Sequence, residues 1–242
     1  MYILALDTAT RDGSVALVDE HRVIAERRGD AARSHAERLP GELLALAEAH
    51  RVSVRAIDLF AVAAGPGSFT GLRIGIATIQ GLALASGKRI VAVSALEALA
   101  QSAAGAPGSV VAAWMDARRR EVFAALYRVA DAPPFSPERL VEVEGATAGD
   151  PAATLARWGS HLRDARVTFV GDGAALYADA IADHRSMRSD VLGEPPLLAG
   201  VIGQMALIRA QRGDTIDPAA VHPLYVRRPD VEVEREKKAG TL

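Results

Sequence analysis

The chain has 242 residues, 50% hydrophobic and 24% charged, a balance that belongs to a folded chain and excludes a disordered or collagen-like one. Its net charge is −2, and of 28 basic residues only Lys88, Lys237 and Lys238 are lysine. Cysteine is absent, which removes disulfides, thiolate metal sites, iron–sulfur clusters and thiol nucleophiles together.

Residues 1–104 carry 11 acidic and 11 basic side chains, scattered rather than blocked, so no basic face for gripping RNA unaided is expected. Uninterrupted apolar runs such as Leu59 to Ala64 fall far short of the roughly 18 residues of a membrane helix. Asp7 interrupts a signal-peptide pattern, and the expectation is a cytoplasmic protein without a membrane segment.

Tyr2 to Asp7 reads as a buried strand, Gly13 to Val18 as its hairpin partner and Arg22 to Arg28 as a third strand. Ser34-His35-Ala36-Glu37 has the spacing of a capping box, and Leu39, Leu43 and Leu46 follow at helical intervals toward His50. A strand over Ile57 to Ala63, a Gly65-Pro66-Gly67 turn and a helix from Gly71 to Ser86, closed by Gly87, come next. Ile90 to Val93 and Ser94 to Ser102 add a strand and a helix. After the loop at 105–108 the order restarts, with strands at 110–115, 122–129 and 140–143, a helix at 151–158, a strand at 167–170 and helices at 174–182 and 197–212. This periodicity predicts an α/β protein of two lobes, 1–104 and 105–225, with duplicated topology, a cleft between them and a charged tail at 226–242. Hairpin-first lobes of this order are those of the actin, hexokinase and heat-shock ATPase superfamily.

Asp7, Thr8 and Thr10 stand at the tip of the first hairpin, where two-lobed ATPases cradle phosphate and its metal; an ordinary Asp/Thr turn is the alternative. At the matching hairpin, after Asp116, stand Arg118, Arg119 and Arg120 in place of glycine and small hydroxyls, so either phosphate pairing or a wide charged turn fits. Gly171-Asp172-Gly173 fits an adenine seat or a tight strand-to-helix connection. The helix over 71–86 is apolar nearly all round and needs cover on a second side, either from the 34–50 helix or from a partner. Gly71 and Gly75, with Thr78 and Leu82, are expected to form a stripe that a partner helix approaches closely. No two of the six histidines lie three to five residues apart, and nothing local supports a nucleophilic triad, so neither a metal nor a catalytic residue is assigned.

The stretches Ile3 to Thr10, Ser34 to Leu39, Gly65-Pro66-Gly67-Ser68-Phe69-Thr70-Gly71-Leu72-Arg73-Ile74-Gly75 and Met115 to Arg118 closely resemble the bacterial TsaB (YeaZ) proteins. The resemblance implies the two-lobed fold above and a role in making threonylcarbamoyladenosine beside the tRNA anticodon. It implies a non-catalytic paralogue of TsaD, the subunit that holds the metal and transfers the threonylcarbamoyl group; the paired histidines with which TsaD binds metal are missing from this chain. It also implies that the first-lobe helices form both a homodimer and the TsaD contact, which places His35, Leu39, Leu43, Gly71, Leu72, Arg73, Gly75, Thr78 and Leu82 at the interface. No cofactor is implied, a TsaE-like ATPase is a further candidate partner, and tRNA is reached only through the complex. A small-molecule kinase using Asp7, Thr8 and Thr10, or a glycoprotease-like peptidase, are the rival readings.

Overall fold

A computed structural model of the chain describes residues 1–30, 33–163, 165–184 and 187–227, so the charged tail lies outside the described residues beyond Arg227. The first sheet contains β1 (Ile3–Asp7), β2 (Ser14–Val18), β3 (Val23–Arg28), β4 (Leu59–Gly65) and β5 (Arg89–Ser94), in the order β3-β2-β1-β4-β5. β1 to β3 are antiparallel, and β4 and β5 continue parallel to β1. The second sheet contains β6 (Val110–Asp116), β7 (Val122–Val129), β8 (Leu140–Gly149), β9 (Arg166–Val170) and β10 (Arg188–Val191), in the order β8-β7-β6-β9-β10. The connectivity is the same in both sheets, which establishes the two-lobed α/β fold of the actin and hexokinase type. The 10-residue β8 starts at Leu140 as expected but runs six residues past Val143, and the strand β10 was not expected, since Arg-Ser-Asp-Val lacks an apolar alternation and β10 exists through its ladder to β9.

Helices α1 (His35–Ala49) and α2 (Phe69–Ser86) cover the outer face of the first sheet. Ser34 caps α1 by donating its backbone N–H and its hydroxyl to Glu37, at 2.9 and 2.7 Å. Ser68 caps α2 by accepting from the Gly71 N–H at 3.2 Å, and Gly87 ends it in the left-handed region at φ 65°. Leu39, Leu43 and Leu46 of α1 and Ile76 and Ile79 of α2 bury against Leu4, Leu6, Leu17 and Phe60. On the second sheet α4 (Pro151–Leu162), α5 (Asp172–Leu176) and α6 (Ala178–Ala182) bury Trp158, Leu162 and Ile181 around Trp114 and Phe169. The single helix expected over 174–182 is thus two short ones that meet at Tyr177.

Between the sheets lie α3 (Ala95–Ser102) and α7 (Ala199–Gln211), and their packing redraws the lobe boundary. α3 follows the first sheet yet packs on β6, whereas α7 follows the second sheet yet packs on β1 and β2. One continuous apolar core results, with Ile202 and Met205 against Ile3, Ala5 and Val18, and Leu96 and Leu99 joined to Val111 and Ala113. The first sheet also caps α7: Ser14 Oγ accepts from the N–H groups of Leu198 and Ala199 at 3.3 and 3.0 Å, and Glu26 Oε1 from that of Gly200 at 2.8 Å. Gly203 makes the approach possible, because a Cβ there would lie 2.5 Å from Val18 Cγ2. Residues after α7 remain with the first lobe, where Ile216 pairs with Ile90 and Gln80 Nε2 donates to the Pro218 carbonyl at 2.7 Å. The expected second lobe at 105–225 therefore hands its last helix and the 216–221 segment after it to the first.

By length and composition α2 is apolar enough to cross a membrane, a property that counting uninterrupted apolar runs passes over. Here it joins two parallel strands of one sheet and buries Leu72, Ile76, Ile79 and Ala83 along a single side.

Candidate functional site

The turns after β1 and after β6 face each other across the interlobe cleft, which holds two cavities of about 460 and 530 Å³ separated by Thr10, Arg11, Asp116 and Arg118. Asp7 and Thr8 are not part of either wall. Asp7 is buried and folds its own turn: Oδ1 accepts from the N–H of Ala9 at 2.8 Å and of Thr10 at 3.4 Å, and Oδ2 accepts from the Thr10 hydroxyl. Burial pushes its carboxyl above the usual aspartate range, although the Thr10 hydroxyl and the two N–H groups pull the other way; the negative Asp172 adds to the rise. Thr8 is fully buried and packs on α2, with no hydrogen-bond partner for its hydroxyl among the described residues. Of the three residues expected at a phosphate, only Thr10 reaches the cleft, and its hydroxyl is engaged by Asp7.

Across the cleft, Arg118, Arg119 and Arg120 all adopt positive φ, at 60°, 54° and 63°. The turn closes through Ala117 N–H to the Glu121 carbonyl at 3.0 Å and Glu121 N–H to the Arg118 carbonyl at 2.9 Å, and Arg118 pairs with Asp116 at 3.0 Å. This is the wide charged turn, with side chains where a phosphate would need bare backbone. The adenine seat yields to packing as well. A Cβ at Gly171 (φ 114°) would lie 2.1 Å from the Trp114 carbonyl oxygen, and one at Gly173 would lie 2.7 Å from the Met115 carbonyl carbon. Both glycines serve the tight connection from β9 into α5, where Asp172 Oδ1 accepts from Asp116 and Gly173, each at 2.9 Å.

The two glycines of the stripe on α2 face inward, contrary to expectation, while Thr78 and Leu82 are partly exposed. A Cβ at Gly71 would lie 2.4 Å from the Thr8 carbonyl oxygen and one at Gly75 would lie 2.1 Å from Thr8 Oγ1, so both glycines exist to admit the first hairpin. Leu39, Leu43 and Leu72 are likewise buried in the protein's own core. Of the residues expected at an interface, His35, Thr78 and Leu82 are partly exposed and Arg73 is exposed. The outward face of α2 consists instead of Thr70, Arg73, Ala77, Gly81 and Leu84, with nothing among the described residues within 4 Å of the Gly81 Cβ position and Leu84 61% exposed. The signal for this was present in sequence: Leu72, Ile76, Ile79 and Ala83 recur at helical intervals and mark the inner side, and Gly81 lies opposite.

Beside the cleft, His35 is held by Arg38, a guanidinium buried beneath Gly29. Arg38 Nη2 lies 2.7 Å from His35 Nδ1 and also donates to the Asp12 carbonyl, while Nη1 pairs with Glu42. Burial lowers the His35 pKa and the Arg38 charge adds to the effect, so the ring is neutral near pH 7 with Nδ1 as acceptor. At the other end of the cleft, residues 224–227 cross its mouth, a feature for which the sequence carries no pattern. Tyr225 stacks on Phe69 with ring centroids 5.2 Å apart, and Arg73 Nε donates to its hydroxyl at 2.9 Å.

The profile of the TsaD family, described as tRNA N6-adenosine threonylcarbamoyltransferase, matches residues 24–217. The tRNA threonylcarbamoyladenosine biosynthesis protein TsaB of Bacillus subtilis is 32% identical over 97% of this chain and 97% of its own length. An uncharacterised protein of Mycobacterium leprae is 32% identical over 95% of this chain, which spans 56% of that longer protein. The solved structure of YeaZ from Pseudomonas aeruginosa superposes with a TM-score of 0.74 at 30% identity, covering 93% of this chain and 99% of that one. With a full-length TsaB relative, a matching YeaZ structure and the shared two-lobed fold, the chain belongs to the TsaB (YeaZ) family.

Proposed function

We propose that this protein takes part in tRNA threonylcarbamoyladenosine biosynthesis as a non-catalytic subunit that binds and supports a TsaD-like transferase. The full-length likeness to TsaB carries the reading. The outward face of α2 supports the partner: Ala77 and Gly81 present almost no side chain, Leu84 is apolar and exposed, and a second helix can approach such a surface closely. In isolation the same face serves a homodimer, so TsaD binding and self-association compete for it. The non-catalytic role is supported by the Asp7 carboxylate, both of whose oxygens are engaged by its own turn, and by the arginine turn opposite. Contact with tRNA comes through the catalytic subunit, given the near-neutral charge, and a TsaE-like ATPase joins the same cytoplasmic assembly. The test is threonylcarbamoyl transfer to tRNA by a TsaD-like subunit with and without this chain. Transfer that depends on both proteins, and fails with this chain alone, is the expected result; transfer by this chain alone, or by the partner equally well without it, overturns the proposal.

A further inference from the structure

We infer that Leu224–Arg227 is a latch that limits how far the two lobes open, anchored firmly on the first lobe and lightly on the second. The first-lobe anchor is built in. The Leu224 N–H donates to the Ala64 carbonyl at 2.7 Å, and Gly65 (φ 128°) has no side chain because a Cβ would lie 2.5 Å from the Leu224 carbonyl oxygen. One residue on, Tyr225 is held by its stack on the Phe69 ring and by the Arg73 Nε bond to its hydroxyl, the Arg73 guanidinium itself lying 4.1 Å from the Phe69 centroid. The second-lobe contact is different in kind: Arg227 Nη1 pairs with Glu121 at 2.6 Å, both side chains about one third exposed, and the guanidinium lies 5.8 Å from the Phe123 ring. Glu121 closes the arginine turn through its own backbone, so a pull on Arg227 acts on the cleft-facing turn of the second lobe. Between the two anchors Tyr225, Val226 and Arg227 form one wall of the smaller cavity. The lobes share a continuous core at their base, so what remains free to vary is the separation of the turns at the mouth, which this strap spans.

A light contact in series with a firm one opens at the light end. An ion pair of this exposure shifts the latched-to-open ratio only about threefold, which makes the device reversible. The absence of cysteine permits a direct test on the whole chain: spin labels at Ala45→Cys on α1 and Ala156→Cys on α4, both exposed, report the interlobe distance by double electron–electron resonance. Arg227→Glu should lengthen and broaden the distribution, with the latched fraction relative to the open falling about threefold. Tyr225→Ala, which frees the firm end, should do the same. The exchanged pair Arg227→Glu with Glu121→Arg should restore the original distribution, and because it keeps the side chains while reversing the pair it separates a latch from a general loosening. Unchanged distributions in both single variants, or an exchanged pair that stays as broad as Arg227→Glu alone, would overturn the inference.

Discussion

Replacing Gly75 by alanine adds one methyl group at a point 2.1 Å from Thr8 Oγ1 and 3.0 Å from both Thr8 Cβ and Cγ2. Thr8 is fully buried just after β1, so a χ1 rotation that turned its Cβ hydrogen toward the new methyl would have to seat the hydroxyl and methyl elsewhere in a packed interior. Overpacking of this kind costs about 1–3 kcal/mol. A helix-interior glycine-to-alanine change returns about 1 kcal/mol of propensity, so the net loss should be about 1 kcal/mol, or about 3 °C in Tm for a chain of this size. In a Thr8→Ala background the 2.1 Å obstruction is gone and only the 3.0 Å approach to Cβ remains, so the same substitution should stabilise by up to about 1 kcal/mol. Urea melts of the four proteins then give a double-mutant coupling of about 2 kcal/mol. Gly75→Ala that stabilises the otherwise unaltered protein, with coupling below about 0.5 kcal/mol, would refute the inward placement of Gly75.

Three further outcomes follow from the site geometry. Asp7 has a raised pKa, so the folded state keeps its proton to higher pH than the unfolded state does; its contribution is present below pH 3.8 and is lost as pH rises through the folded value. Asp7→Asn lacks this loss, and its stability relative to the unmodified chain should improve as urea melts move from pH 4 to pH 7. Arg38→Met leaves the Asp12 carbonyl and Glu42 without their cation and should cost about 2–3 kcal/mol, while the His35 resonance, followed by NMR, should titrate at a higher pH than before. Calorimetry with Mg-ATP should show no micromolar binding to the isolated protein, because the Asp7 oxygens are occupied and the second turn offers arginine side chains; tight binding with hydrolysis lost in Asp7→Ala would restore a kinase reading.

The eight elements of the first lobe are legible because each carries a local signal: buried runs at β1 and β4, a capping box at Ser34, a glycine stop at Gly87. The second lobe is legible in order but less in extent, since β10 is polar and made by its neighbour. What local pattern does not encode is which sheet a helix meets. α7 is apolar on several sides and its caps, Ser14 and Glu26, lie more than 170 residues earlier, so its crossing to the first lobe shows only in the assembled fold. The glycines of α2 show the same limit. Gly71, Gly75 and Gly81 are equally small in sequence, yet two admit Thr8 and the third faces outward, a distinction set by where the first hairpin turns. Asp7-Thr8-Ala9-Thr10 was legible as a turn with two possible uses, and the hydrogen bonds show the structural one.

The most direct test of the proposed role is Gly81→Arg, titrated against a TsaD-like subunit and then assayed for support of threonylcarbamoyl transfer. The Gly81 Cβ position is open, so the variant should keep the circular dichroism and melting of the parent, whereas Gly75→Arg should not fold. On the outward face a long cation blocks close helix approach and must be desolvated on binding, which should weaken association by about 2 kcal/mol or more, a Kd at least about thirtyfold higher, with transfer falling in step. A folded Gly81→Arg protein that binds the TsaD-like subunit with unchanged affinity and supports full transfer would contradict the account.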